Sequence, residues 1–161
     1  MGLGIGSEAL CGETEALPIV WAACSRPGND PLKRQKENQD TYCVHDKFAG
    51  RASSLCVCVY DGHGPNGALA SGYMRNNLYK SWATKGISEA KDDAAVHRIL
   101  HEGCVEINAE LAMSDIDVYV SGSTGILGVF REDRLFVANV GDSRAVLGRM
   151  VGGKPALTVI R

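Results

Sequence analysis

The chain has 161 residues, of which 45% are hydrophobic and 22% charged, with a net charge of −2 and a pI near 6.1. That is ordinary globular composition, in a length that suits one domain with a real core. It excludes the basic surplus of nucleic-acid binders, and no apolar run reaches membrane-spanning length.

Met1 to Leu17 is rich in Gly, Ala and Glu without a clear period, so residues 1–17 read as a tail and 18–161 as the folded part. The first basic residue is Arg26, which leaves no n-region for a secretory signal. Gly2 raises N-myristoylation, but the pattern wants Ser or Thr at the sixth position, where Gly6 stands and Ser7 comes one too late. An unmodified tail and a cytoplasmic location, with the nucleus also open, are expected.

Ile19 to Cys24 reads as a first strand, followed by dense turn chemistry from Ser25 to Pro31. Lys33-Arg34-Gln35-Lys36 is a basic cluster, by itself a solvated loop. A second strand is expected over Thr41 to Val44. Leu55 to Tyr60 is apolar and rich in β-branched and aromatic residues, and it is closed at once by Asp61-Gly62-His63-Gly64. This reads as a strand buried on both faces that delivers an acid and a histidine to a turn.

After Gly64 the period changes. Ala68, Leu69, Tyr73, Met74 and Leu78 predict one helix, and Asp92 to Met113 a second. In the second, Val96, Ile99, Leu100, Cys104, Ile107 and Leu111 make one stripe. Asp92 and Asp93 suit its N-terminal end. Ser121 to Gly125 reads as a tight polar loop, Ile126 to Phe130 and Leu135 to Val140 as a hairpin, and Ala145 to Gly148 as a third strand of an antiparallel meander. Strands, two helices and strands again make an α+β pattern.

The six cysteines contain no CxxC pair, so packing in a reducing compartment is expected rather than zinc or disulfides. Asp40, Asp61 and Asp142 are short carboxylates at turns beside strands. One such residue signals only a turn. Three together, with His63 two positions after Asp61, suit a hard divalent cation.

Glu37-Asn38-Gln39-Asp40, Val59-Tyr60-Asp61-Gly62-His63-Gly64, Ser121-Gly122-Ser123-Thr124 and Val137 to Arg144 follow one another in that order. Together they resemble the metal-dependent protein phosphatases of the type 2C family, over about Ile19 to Thr158. The resemblance implies a two-sheet antiparallel β-sandwich flanked by helices, with magnesium or manganese at one end. It implies two ions, with a third in some members, that activate water against phosphoserine or phosphothreonine in phosphoprotein substrates. Asp61 would bridge both ions and the Gly62 carbonyl would complete one. Asp40 would act in the outer shell, Asp142 at the third position, and His63 as the general acid. The family often has Arg or Lys five residues before the Asp40 position. Here Gln35 stands there between Arg34 and Lys36, and Arg34 is chosen for phosphate because its fork fits. Gln39 replaces a frequent Glu.

No Asp or Glu follows Asp142, whereas the family supplies further aspartates later. The expectation is therefore an N-terminal half of a catalytic domain, weakly active or inactive alone, with association through the truncated core. The competing reading is an inactive phosphatase-like module that binds phosphoproteins or a partner. A serine hydrolase using Ser123 or Ser143 lacks the G-x-S-x-G elbow.

Overall fold

The computed structural model describes residues 8–160. In chain order the elements are β1 (Glu8–Glu13), β2 (Val20–Ser25), β3 (Asp40–Asp46), β4 (Ser54–His63), α1 (Gly67–Thr84), α2 (Asp93–Ala112), β5 (Gly122–Ser123), β6 (Gly125–Arg131), β7 (Arg134–Val140), β8 (Ala145–Val151) and β9 (Lys154–Ile160). The α+β class expected from the sequence is observed. A central antiparallel sheet runs β3-β4-β6-β7, with β5 paired to the far end of β4. β1–β2 and β8–β9 are separate antiparallel hairpins.

Strand side chains alternate between faces, and the two faces of this sheet have different fates. Cys56, Cys58 and Tyr60 of β4, with Leu127, Val129 and Phe136, pack against the helices. From α1 come Met74, Leu78 and Trp82, and from α2 come Val96, Ile99, Leu100 and Ile107. The α2 stripe is buried as its period predicts, with Cys104 half-buried. Its Asp92 N-cap accepts the Ala95 amide at 2.8 Å. Trp82 donates Nε1–H to the Leu100 carbonyl at 3.2 Å. It lies so close to α2 that a Cβ at Gly103 would sit 2.3 Å from its ring. Arg131 donates to the carbonyls of Ile87, Ser88 and Ala90, which ties the sheet to the link between the helices.

The opposite face looks across a slot of about 800 Å³ toward the two hairpins. Trp21, Val57, Val59, Val137, Leu147 and Ile160 line it. The second layer of the expected sandwich is thus present as two unjoined hairpins.

Several expectations need correction. β4 is not buried on both faces: Tyr60 is 0% exposed but Val59 is 50% exposed, because the slot is open. Part of the presumed tail, Glu8–Glu13, forms β1, since pairing with β2 supplies the hydrogen bonds its composition did not advertise. The meander breaks after β7, as β8 pairs only with β9. The polar loop holds the short β5. Leu69, expected on the apolar stripe of α1, is 52% exposed. Cys56 and Cys58 are buried with sulfurs 3.5 Å apart, but Cys11 and Cys24 are exposed on the β1–β2 hairpin. All six cysteines are free. The myristoylation signature at Gly2 to Ser7 lies outside the described residues. Among those residues no helix is long and apolar enough to cross a membrane.

Candidate metal centre

The exit of β4 gathers most of the residues singled out from the sequence. The β3–β4 register sets Asp40 directly opposite Asp61. Such opposed residues bring their side chains together. Asp40 is an exposed residue, yet partial desolvation of its carboxyl first, and then the charge of Asp61 and a hydrogen bond with it, raise its pKa above the usual carboxylate range. Among the described residues no lysine or arginine forms an ion pair with either carboxylate. Two facing carboxylates without a cation, beside backbone carbonyls, are a donor set that fits magnesium or manganese.

Glycines make the close approaches. A Cβ at Gly62 would lie 2.3 Å from the Gly67 carbonyl oxygen and 2.6 Å from that of Gln39. Gly64 has φ +82, and a Cβ there would meet the Val120 carbonyl at 2.2 Å. His63 pairs with Gly122 across β4–β5. Its Nε2 is 3.0 Å from where a Gly122 Cβ would stand, so the ring lies over that glycine. The Asn66 amide donates to Ser121 Oγ at 2.9 Å, which pins the turn to the loop before β5.

Thr124 joins the third acidic turn to this end of the sheet. Its amide donates to the Asp61 carbonyl at 2.9 Å, and its hydroxyl accepts from the Asp61 amide at 3.3 Å. That hydroxyl also lies 2.6 Å from Ser143 Oγ. Asp142 itself is exposed. Among the described residues no three His, Cys, Asp or Glu side chains form a metal-holding group. The structure therefore sets Asp40 opposite Asp61 at the exit of β4, with Gly62 and His63 next along the strand, and anchors the Asp142 turn at the same end; among the described residues no three of these acidic and histidine side chains form one cluster.

Arg34 is engaged elsewhere. Its Nε donates to Asp30 Oδ2 at 2.7 Å and its amide to Asp30 Oδ1 at 2.9 Å. Hydrogen bonds from Arg34 in turn hold Asp30 below its usual carboxylate range. Two cations that the sequence reading did not single out, Arg26 and Arg144, line the slot together with Asp40. Arg144 follows Ser143 in a motif already quoted, and that was the available signal.

The family model described as Protein phosphatase 2C matches residues 30–159. The chain belongs to the protein phosphatase 2C family. A probable protein phosphatase 2C of Arabidopsis thaliana, number 35, is 33% identical over 129 residues, which is 80% of this chain and 36% of that protein. Another from the same plant, number 72, is 32% identical over 148 residues, or 86% of this chain and 43% of that protein. The fold agrees with a serine-threonine phosphatase 2C from Toxoplasma gondii at a TM-score of 0.70 and 14% identity, over 96% of this chain and 48% of that one. The phosphatase 2C chain described here thus spans less than half the length of these relatives.

Proposed function

We propose that this chain carries the first carboxylates and the general acid of a metal-dependent protein serine/threonine phosphatase, with residues 18–161 as its share of the catalytic domain. The observation that carries the reading is the Asp40–Asp61 pair at the exit of β4, with His63 two residues on. Asp61, the Gly62 carbonyl and, in the outer shell, Asp40 would hold magnesium or manganese, and Asp142 would serve a third position. Bound there, the ions supply a nucleophilic water at neutral pH and neutralise phosphoryl oxygens. Hydrolysis joins the water oxygen to phosphorus and breaks the bond from phosphorus to the serine or threonine oxygen. His63 gives its imidazolium proton to that leaving oxygen, which departs as the alcohol. Arg34 is kept as the phosphate contact, with Arg26 and Arg144 as rivals beside Asp40.

The alternative is a phosphoprotein-binding module without turnover. It is favoured by one observation: the described residues offer two facing carboxylates and no third, little charge to hold two cations close together. The isolated chain is therefore expected to bind manganese weakly and turn over slowly.

His63→Gln in a full-length phosphatase should cost phosphoserine peptide about 10²–10⁴-fold, and nitrophenyl phosphate, whose leaving group departs as a stable anion, far less. Asp61→Asn should remove manganese binding in calorimetry along with turnover. Equal losses on both substrates would make His63 structural, and an Asp61→Asn protein with normal manganese affinity would remove the metal site.

A further inference from the structure

His63 stands in the middle of a three-residue segment, Gly62-His63-Gly64, that follows Asp61 and whose two ends are both held by one residue that the proposed chemistry does not use. That residue is Gln39. Its backbone carbonyl accepts the Gly62 amide at 3.2 Å. Its side-chain Nε2 donates to the Gly64 carbonyl at 2.8 Å. The same Gln39 carbonyl also accepts the Ser71 hydroxyl of α1 at 2.6 Å. The Gly64 carbonyl likewise accepts the Gly67 amide at 3.2 Å, the bond that opens α1.

Two glycines leave the room this arrangement needs. A Cβ at Gly62 would fall 2.6 Å from the Gln39 carbonyl oxygen, and one at Gly67 would fall 2.7 Å from Gln39 Oε1. Gln39 is therefore packed between Gly62 and Gly67, with one hydrogen bond to each end of the segment that carries His63.

We propose that Gln39 is a positioning residue: its main chain and side chain together clamp Gly62-His63-Gly64, and so set both the direction of the Gly62 carbonyl and the place of the His63 ring over Gly122. In this chain the side-chain amide supplies the donor. A glutamate of the same size would set a carboxylate oxygen against the Gly64 carbonyl, two acceptors with no proton between them. It would also add a third negative charge beside Asp40 and Asp61. Gln39 thus trades charge at this position for a donor that fixes the turn. The inference rests on the phosphatase reading for its kinetic consequence only.

The test uses Gln39→Met and Gln39→Glu, both close in size and both without the donor. In the metal-free 161-residue chain, the Gly67 amide should exchange with solvent about three- to tenfold faster in each variant, the factor carried by one hydrogen bond. The His63 ring resonances should move, while amides under the α2 stripe keep their rates. In the full-length phosphatase, Gln39→Met should lower kcat for phosphoserine peptide about tenfold more than for nitrophenyl phosphate, part of what a general acid supplies, with KM unchanged. Unchanged Gly67 exchange and unmoved His63 resonances in both variants would overturn the clamp. So would a kcat loss equal on the two substrates. If the unmodified protein hydrolyses neither substrate, the phosphatase reading fails, and the clamp is still decided by exchange and His63 resonances.

Discussion

The two faces of the central sheet are built from the same strands and end in opposite conditions. On the helix side Cys56, Tyr60, Leu78 and Trp82 are each 0% exposed. On the slot side, one residue along the same strand, Val59 is half exposed, and Val146 and Leu147 of the facing hairpin, which also line the slot, are open as well. Alternation along a strand is indifferent to which side becomes a core. What decides is whether a second layer arrives in one piece. The helices do, because α1 and α2 are tied to each other and to the sheet. The hairpins do not, because neither pairs with the sheet. Asp61 and His63 follow Val59 on the slot side of β4 by alternation, so the candidate site belongs to the looser face.

Substitutions graded by face should sharpen this contrast. The largest effect is expected for Trp82→Ala, which removes the bulkiest fully buried side chain and should cost about 3–5 kcal/mol, read from the shift in urea midpoint. A loss below about 1 kcal/mol would show that the helix side is not the main core. Gly103→Ala comes next. Its methyl would press on the Trp82 ring, and overpacking of this kind costs about 1–3 kcal/mol. A neutral result in the same titration would mean that α2 can slide away from α1.

Asp40→Asn should act through pH. The native state holds the Asp40 proton more tightly than an ordinary aspartate does. Its contribution to stability is thus complete below the unfolded pKa and is lost as pH rises through the folded one. In chelator, stability should fall with pH across that window, and Asp40→Asn should flatten the slope. An equal or steeper slope in the variant would break the facing-carboxylate account. The smallest effect is expected for Val59→Thr on the slot face, within about 0.5 kcal/mol. A cost near that of Gly103→Ala would mean the slot is closed in solution.

Much of the helix side was legible in the sequence, because its signals are local. The 3.6-residue stripe of α2, its Asp92 cap and the apolar run of β4 each state their own structure. The slot side was legible only in part. Leu10, Cys11 and Gly12 carry no period of their own and become β1 only through the Val20–Ser25 partner. The break after β7 depends on which edge β8 fails to reach, which no window of residues encodes. At the site, spacing gave Asp61, Gly62 and His63 as neighbours, but that Asp40 faces Asp61 follows from register across two strands. In the sequence Gln39 stands out only as a departure from a common glutamate. Its hydrogen bonds to both ends of Gly62-His63-Gly64 are tertiary, and they give that departure a physical reason. Arg34 shows the converse: its guanidinium chemistry is legible in the sequence, but its engagement by Asp30 depends on how the turn between them folds.

The pairing of β4 with β6 has a kinetic consequence. Ser54 Oγ donates to the carbonyl of Phe130 at 3.1 Å, across 76 positions of chain, and both helices lie inside that loop. The hairpins β6–β7, β8–β9 and β1–β2 can form from neighbouring residues within microseconds, and so can the helices. The strand that presents Asp61 cannot gain its second neighbour until the long loop closes, which makes it a high-contact-order event and a slow one. The helix pair shortens the search, because Trp82 against Leu100 folds the intervening chain back on itself before β6 docks. The part of the candidate site that β5 supplies, Gly122 beneath His63, waits for that closure, whereas the Asp40–Asp61 pair comes from the neighbouring strands β3 and β4.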